Sequence, residues 1–517
     1  MLFRSVVDPH RPDGGYPHKN LSGVGVAFKL AAALAGSQET VLEQYADMVC
    51  LGTVADVMAL QGENRVFVSR GLAMLRDTTR PGLAALMHEC GCERTVVSAS
   101  TVGYMLSPRI NAAGRMGQIE LAIELFLTED PARGEAAAKA LCELNKQRQL
   151  VESDIYRQAV EMLPEGQIPE AIVLADESWH QGVVGIVASR IAEEYCCPTF
   201  LICLDGEHGK ASSRSFGGFN LFSTLTDLSA LLESYGGHEL AAGFTIGREQ
   251  IPEFRREICR LAGEFYAGNG PKTVLEADCA IPPELLTLPN IQSLDALEPC
   301  GNGCPKPALV MEGLTVERIS AVGNGRHLRL RLQRQGWAFN GIFFSTTAES
   351  ASVEQGDVVD VAFIPQINEF RGEKTVQMNI QDLRPHCKAA VSCNGEDYLA
   401  LQTGKLTPEI AARLLPDRAT LGMVWRYLAS HGQFLRESPV CLCRKMVRWS
   451  SVAMDLSCLL TCLRIFADVG LLEVARLHND ITIRILPAGE KADLNTSRTM
   501  QQLLAAADKA KNTGKDG

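Results

Sequence analysis

The stretch Ala171-Ile-Val-Leu-Ala175-Asp-Glu-Ser-Trp179-His-Gln-Gly182-Val-Val-Gly185-Ile-Val-Ala-Ser-Arg190 decides the fold. Residues 171–175 are an unbroken apolar run, the signature of a strand buried on both faces. A polar loop with glycine follows, and residues 183–195 then repeat apolar positions at helical spacing. Residues 200–204 give a second apolar strand, and shorter strand and helix signals run on to about residue 246. This alternation makes residues 168–270 a compact α/β domain. The loop around His180 opens a helix with backbone N–H groups, a usable anion site. Taken alone that signal is weak, because many α/β units contain such a loop.

Working outward, the pattern changes on both sides. Residues 86–167 read as a helical connector whose last part, 135–162, is one long charged helix or a pair. It is interrupted by a loop at 107–116, Ser-Pro-Arg-Ile-Asn-Ala-Ala-Gly-Arg-Met. Residues 1–85 open on a strand end at Val6-Val-Asp8 and continue as helices. The first, capped by Ser22, reaches Leu34; the second covers 41–50 and ends at Gly52; the third is capped by Asn64. A domain opening on a strand end is expected to lack its first half. Downstream, Pro271 marks a boundary, and 271–386 hold five short strand signals at 314–319, 327–332, 338–344, 358–364 and 376–380. They suit a small OB-type β-barrel. A polar linker at 387–396 leads to a mainly helical, winged-helix-like domain at 397–490, where residues 463–472 precede a hairpin-like 481–486. Residues 491–517 read as a polar tail that ends frayed. The fold class is multidomain, α/β and β.

The 517 residues are too many for one ordinary domain, and 46% hydrophobic with 21% charged residues is a globular composition. No apolar run reaches the roughly 20 residues of a membrane span, and the first residues are too polar for a signal peptide. The 17 cysteines, an odd number without any CxxC, suit buried thiols in a reducing, cytoplasmic compartment. Cys441, Cys443, Cys458 and Cys462 come nearest to a zinc set, but their leucine neighbours favour core packing. A net charge of −11 argues against indiscriminate coating of nucleic acid and leaves room for a local basic path.

Five constellations could carry chemistry. In Leu51-Gly-Thr-Val-Ala-Asp56, the carboxylate of Asp56 stands between apolar segments, where burial would demand a metal or a partner; it could equally close a turn. In the 107–116 loop, Arg109, Asn111 and Arg115 are separated by Ala and Gly and suit a cage of phosphate oxygens; bridges to carboxylates are the other reading. Ser213 and Arg214, at a strand end before Gly217-Gly218, are also phosphate-compatible. Gly236-Gly237-His238 frees the backbone and offers a donor, though a histidine in a glycine turn is as often structural. In His327-Leu-Arg-Leu-Arg-Leu332, alternation puts Arg329 and Arg331 on one face, either a path for a phosphodiester backbone or a solvated face.

Together and in this order the motifs resemble the RecJ family of the DHH phosphoesterase superfamily. The likeness runs the length of the chain through Asp8-Pro-His-Arg-Pro12, Leu51-Gly-Thr-Val-Ala-Asp56, Pro108-Arg-Ile-Asn-Ala-Ala-Gly-Arg115, Trp179-His-Gln-Gly182, Ser213-Arg-Ser215 and Gly236-Gly-His238. It implies a partial DHH α/β domain, a helical connector, a DHH-associated domain, an OB barrel and a C-terminal domain. The implied activity is single-strand-specific 5′-to-3′ DNA hydrolysis with two Mn²⁺ or Mg²⁺ ions, in repair and recombination. Asp56 matches the family's last metal-ligand aspartate; Arg109, Arg115, Ser213 and Arg214 lie in motifs surrounding the 5′ end, and residues 236–238 in a substrate-binding motif. The implied partners are single-stranded DNA and, at the C-terminal domain, a single-strand-binding protein. The family's Asp-x-Asp and Asp-His-His motifs are not in this sequence, so this chain is expected to be truncated and inactive alone. The alternatives are a non-catalytic strand-binding or scaffold relative and a DHH enzyme of very short oligonucleotides. The alanyl-tRNA synthetases share only the Gly-Gly-His module. One departure, Cys300-Gly-Asn-Gly-Cys304 in place of an acidic glycine turn, reads as a local oddity without consequence for the fold.

Overall fold

The computed structural model describes residues 6–11, 14–92, 97–164, 169–266, 275–351, 353–370, 372–386, 396–432, 434–450, 452, 454–477, 480–487 and 492–513. The Pro271 boundary, nearly all of the 387–396 linker and the last four residues lie outside them. The chain divides into two compact units, residues 1–162, 173–311 and 362–381 in one and 163–172, 312–361 and 382–517 in the other.

The first unit opens with helices. Ser22 caps helix Gly23–Ala35 by accepting from the Gly25 N–H at 3.2 Å, as the sequence suggested. The second helix is longer than expected. Capped by Ser37, it runs Gln38–Ala55 straight through Gly52. Gly52 is a crossing point and no terminator: a Cβ there would lie 2.5 Å from Val24 Cγ1. The third helix starts earlier, Gly62–Arg76. Asn64 lies buried inside it rather than capping it, its Nδ2 donating to the carbonyls of Asn20 and Ala59.

Residues 107–116 are a correction of a different kind. A π-helical turn, Val102–Leu106, flows into helix Ser107–Arg115, so the expected loop is helical. Pro108 sits in the first turn, where its missing N–H costs nothing, and Ala112 and Ala113 are fully buried. The connector helix is a single element of 31 residues, Pro131–Glu161, capped by Asp130. It buries Ala138 and Leu141 against Leu83, Leu86 and Leu125 in one core.

The α/β domain is a five-stranded sheet in the order Ile172–Asp176, Thr199–Asp205, His208–Arg214, Ala241–Gly247, Ser234–Gly237. Helices Val184–Tyr195 and Ile251–Tyr266 bury Val187, Ile191, Phe254 and Ile258. All five expected strands of the β-barrel occur, as Leu309–Val322, His327–Arg334, Trp337–Phe343, Val358–Phe370 and Glu373–Pro385. Pairing of the first with the fourth closes it, and Cys279–Ala280 adds a short sixth strand at its edge. The barrel strands fall partly in each unit.

The second unit ends in helices Arg418–Ser430, Pro439–Ser450 and Leu456–Asp468 with a three-stranded sheet, Phe434–Glu437, Asp480–Ile485, Leu472–Leu477. Cys443 and Cys462 lie in its core beside Leu459 and Phe466, and Cys458 packs against it. The stretch read as a polar tail instead carries helix Arg498–Thr513, whose Leu503 is buried against Leu401, Ala411 and Leu414. Among the described residues no helix is long and apolar enough to cross a membrane.

Candidate functional site

In the first unit a cavity of about 930 Å³ is bounded by Val54 in the last turn of the second helix and Met58 just past it, Ser107, Asn111 and Arg115, Arg148 on the connector, Arg190, and Asn302. Its cationic wall carries Arg115, Arg148 and Arg190 from three helices, and Arg214, which feels the charge of Arg115, is not among the lining residues. Arg115 ends helix Ser107–Arg115 and donates to the Gly182 carbonyl at 3.3 Å. The approach is close because Gly182 lacks a side chain: a Cβ there would lie 2.1 Å from the Arg115 carbonyl oxygen. Arg214 ends strand His208–Arg214 and donates to the Ser213 carbonyl at 2.8 Å. A Cβ on Gly185 would lie 3.1 Å from Arg214 Nη2.

The two arginines are linked electrostatically through the charge of Arg115 acting on Arg214. Burial, then the charge of Arg148, holds Arg115 below the ordinary arginine value. Burial, then the charge of Arg115, does the same to Arg214. Among the described residues neither forms an ion pair with a carboxylate, Glu152 acting on Arg115 only through its charge, so an anion beside them would favour the charged form of both. Arg148 differs: nearly buried, it is held by Asn145 Oδ1 and by Glu152 at 2.5 Å. Arg190 stacks its guanidinium 3.6 Å from the ring centre of Tyr156. Burial and a hydrogen bond to Glu194 push that tyrosine up to about 12. Ser107 Oγ is buried in the wall without a hydrogen-bond partner.

Other candidates are placed differently. Asn111 joins the cavity, but Arg109 does not line it; its Nη1 donates to the Met105 carbonyl at 2.7 Å and its Nε is buried without a partner. It lies by Cys90 and Cys92, whose thiols burial pushes up while Arg109 pulls them down. Asp56 closes the second helix as an exposed residue, so the argument from a buried carboxylate does not apply to it. Ser213 is buried with its hydroxyl committed to the Ala242 carbonyl at 2.9 Å. The loop of His180 is also satisfied internally. Its carbonyl takes the N–H groups of Val183 and Val184, and its Nδ1 accepts from Gly182, so these amides do not form the anion site expected.

The sheet register brings Arg214 and the glycine–histidine turn to one end. Arg214 pairs with Ala241, and Gly237 with Ala242. Gly237 takes φ 141°, and a Cβ would meet the Ala241 carbonyl at 2.5 Å. Gly236 has open space around it, and His238 is exposed, its Nδ1 accepting from the Leu240 N–H at 3.3 Å.

In the second unit, strand His327–Arg334 alternates as the sequence requires, with Leu328, Leu330 and Leu332 buried and Arg329 and Arg331 exposed. A groove of about 680 Å³ is lined by both arginines, Arg318, Ser320 and Asn340. Arg318 was not legible beforehand. An irregularity between Val316 and Arg318 shifts the register and sets Arg318 opposite Arg331, on the same face. Arg331 donates to Asn340 at 3.0 Å and lies 3.5 Å from Glu317.

An arginine-lined cavity thus lies beside the α/β domain in the first unit, and a groove lined by three arginines runs on the barrel strands of the second. Residues 169–264 match the DHHA1 domain and residues 277–382 the RecJ OB domain. The chain is 32% identical over 412 residues to the single-stranded-DNA-specific exonuclease RecJ of Dickeya dadantii, covering 74% of this chain and 70% of that protein. It is 34% identical over 418 residues to the Bacillus subtilis protein of that name, covering 80% of this chain and 52% of the relative. A crystal structure of RecJ with Mg²⁺ from Thermus thermophilus superposes with a TM-score of 0.63 at 33% identity, covering 74% of this chain and 58% of that one. The chain belongs to the RecJ family. It spans about half the length of the Bacillus relative.

Proposed function

We propose that this chain serves a single-stranded-DNA-specific exonuclease acting 5′ to 3′, and that its own residues hold and position the strand. The observation that carries this is Arg115 on the cavity wall together with Arg214, whose protonation burial and then the charge of Arg115 disfavour, neither being ion-paired to a carboxylate among the described residues. A terminal phosphate supplies the missing charge. His238 and Gly236, at the same end of the sheet as Arg214, are proposed to contact the substrate. So are Asn111 in the cavity wall and His180, whereas the committed hydroxyl of Ser213 positions Arg214. Arg318, Arg329 and Arg331 are proposed to follow the phosphodiester backbone along the barrel groove.

The Mg²⁺ of the Thermus structure, and the Mn²⁺ of a second one, support a divalent metal in the reaction. Asp56 is the ligand we propose. Among the described residues no three His, Cys, Asp or Glu side chains gather to hold an ion. These residues do not fit a two-ion centre, and no hydrolytic step is derived through one. The C-terminal domain, with Phe434 and Trp449 half-exposed, is proposed to dock a protein, a single-strand-binding protein being the partner read from the family. The cytoplasm is the proposed compartment.

The test is label release from 5′-labelled and 3′-labelled single strands with Mn²⁺, alongside strand binding and with the Thermus relative as control. This chain alone is expected to bind strands and release no label. The change matching Asp56→Ala, made in that relative, is expected to stop 5′ release and spare binding. Release by this chain alone would overturn the reading of its metal ligands, and failure to bind would overturn the strand-holding role.

A further inference from the structure

The strand-holding reading makes no use of the sulfur atoms in Cys300-Gly-Asn-Gly-Cys304. Gly301 and Cys304 exchange two backbone hydrogen bonds of 2.8 and 3.1 Å, so the chain doubles back over Asn302 and Gly303. Gly303 takes φ 68° to allow it. Cys304 stands at the closing pair of this reversal and Cys300 one residue before it, so the turn brings the chain of one back toward the other. They differ in surroundings. Cys300 is 6% exposed and donates to the Leu297 carbonyl at 3.5 Å. Cys304 is half-buried and accepts an N–H from Arg65 at 3.1 Å.

We propose that Cys300 and Cys304 form a reversible thiol-oxidation site, in which Cys304 reacts first with a peroxide and Cys300 resolves the product as an internal disulfide. Cys304 loses its proton to solvent, and the sulfur attacks a peroxide oxygen. The O–O bond breaks, hydroxide leaves, and a sulfenic acid remains. The Cys300 sulfur then displaces the hydroxyl, the S–S bond forms and water departs. The sulfur pair loses two electrons, and the peroxide is reduced to hydroxide and water. The contacts support this order of events. The Arg65 guanidinium is a donor that a negatively charged sulfur accepts strongly. Burial, then Glu298, then Cys304 push the Cys300 thiol up, which suits a resolving partner.

The turn is tied to the chain just after Asp56. Leu60 N donates to Asn302 O, and Asn302 Nδ2 to Val57 O, both at 2.7 Å. Arg65 also holds the carbonyls of Leu297, Glu298 and Pro299. Oxidation therefore acts on a segment that braces residues 57–65.

The experiment exposes the whole chain to hydrogen peroxide, blocks remaining thiols, digests without reduction and maps disulfides by mass spectrometry. The expected product is a Cys300–Cys304 peptide two hydrogens lighter than its reduced form, restored by dithiothreitol. It should be lost in both Cys300→Ser and Cys304→Ser, with Cys304→Ser also losing the trapped sulfenic acid at this turn. Arg65→Ala should slow alkylation of Cys304 relative to Cys279, an exposed thiol of the same chain. A peptide that stays reduced while other thiols oxidise, or a Cys304 that pairs as readily with distant cysteines, would overturn the proposal.

Discussion

After burial itself, the charge of Arg115 is what holds Arg214 below the ordinary arginine range, although the two residues come from a helix and a strand far apart in sequence. Like charges held together are a standing cost, and an anion converts that cost into affinity. Arg115→Ala and Arg214→Ala should each weaken binding of 5′-phosphorylated single strands more than of 5′-hydroxyl strands. Loss of one charged hydrogen bond costs about 1.5–3 kcal/mol, roughly tenfold to a hundredfold. Fluorescence anisotropy with the two strands checks this; equal loss on both would remove the pair from end recognition.

Arg109 gives the contrasting expectation. Its guanidinium is spent on the Met105 carbonyl, beside Cys90 and Cys92. Arg109→Ala should lower thermal stability and leave the ratio of 5′-phosphate to 5′-hydroxyl binding unchanged. A selective loss on phosphorylated strands would mean that the side chain turns to the cavity when DNA is present.

Gly182 holds the helix of Arg115 against the α/β domain, and a methyl group there would lie 2.1 Å from a backbone oxygen that cannot swing away. Gly182→Ala should therefore cost about 1–3 kcal/mol of stability, the usual range for overpacking. It should also weaken 5′-phosphate binding, because the Arg115 to Gly182 hydrogen bond is displaced. Urea denaturation and the same anisotropy assay read the two effects. Gly236→Ala, which meets open space, is the control expected to change stability little.

How far the site could be read from sequence depended on whether the signal was local. Alternation at 327–332 is a property of neighbouring residues, and the buried leucines and exposed arginines followed it. Residues 107–116 were misread because Pro108 and Gly114 look like breakers locally, while the burial of Ala112 and Ala113 that settles the helix is tertiary. Arg148 gave no signal, since one arginine on a charged helix looks like any other until the helix is packed, and Arg190 stood in a family-like stretch without being singled out. Arg318 was hidden by a register shift that no spacing rule anticipates. Asp56 stood out only by its motif, and the burial expected of it does not occur, because it closes the second helix in solvent.

The barrel groove allows a measurement that separates a nucleic-acid path from an ordinary solvated face. Arg318 and Arg331 sit opposite each other, Arg329 pairs with Ser320 beside them, and the three line one groove. Arg331 is already engaged with Asn340 and near Glu317, so its charge is partly compensated. Each phosphate contact on a single strand releases condensed counterion and contributes a slope of about −0.7 in log affinity against log salt. The triple change Arg318→Ala, Arg329→Ala and Arg331→Ala should weaken binding of every strand sequence alike and flatten that slope by about 1.4–2.1, two to three contacts. Arg331→Ala alone should flatten it least, because Glu317 already neutralises part of its charge. Titrations of a mixed-sequence and a polythymidine strand over a range of salt concentrations give the slopes. An unchanged slope in the triple variant would put the strand elsewhere on the chain, and a change confined to one sequence would point to base contacts in place of backbone contacts.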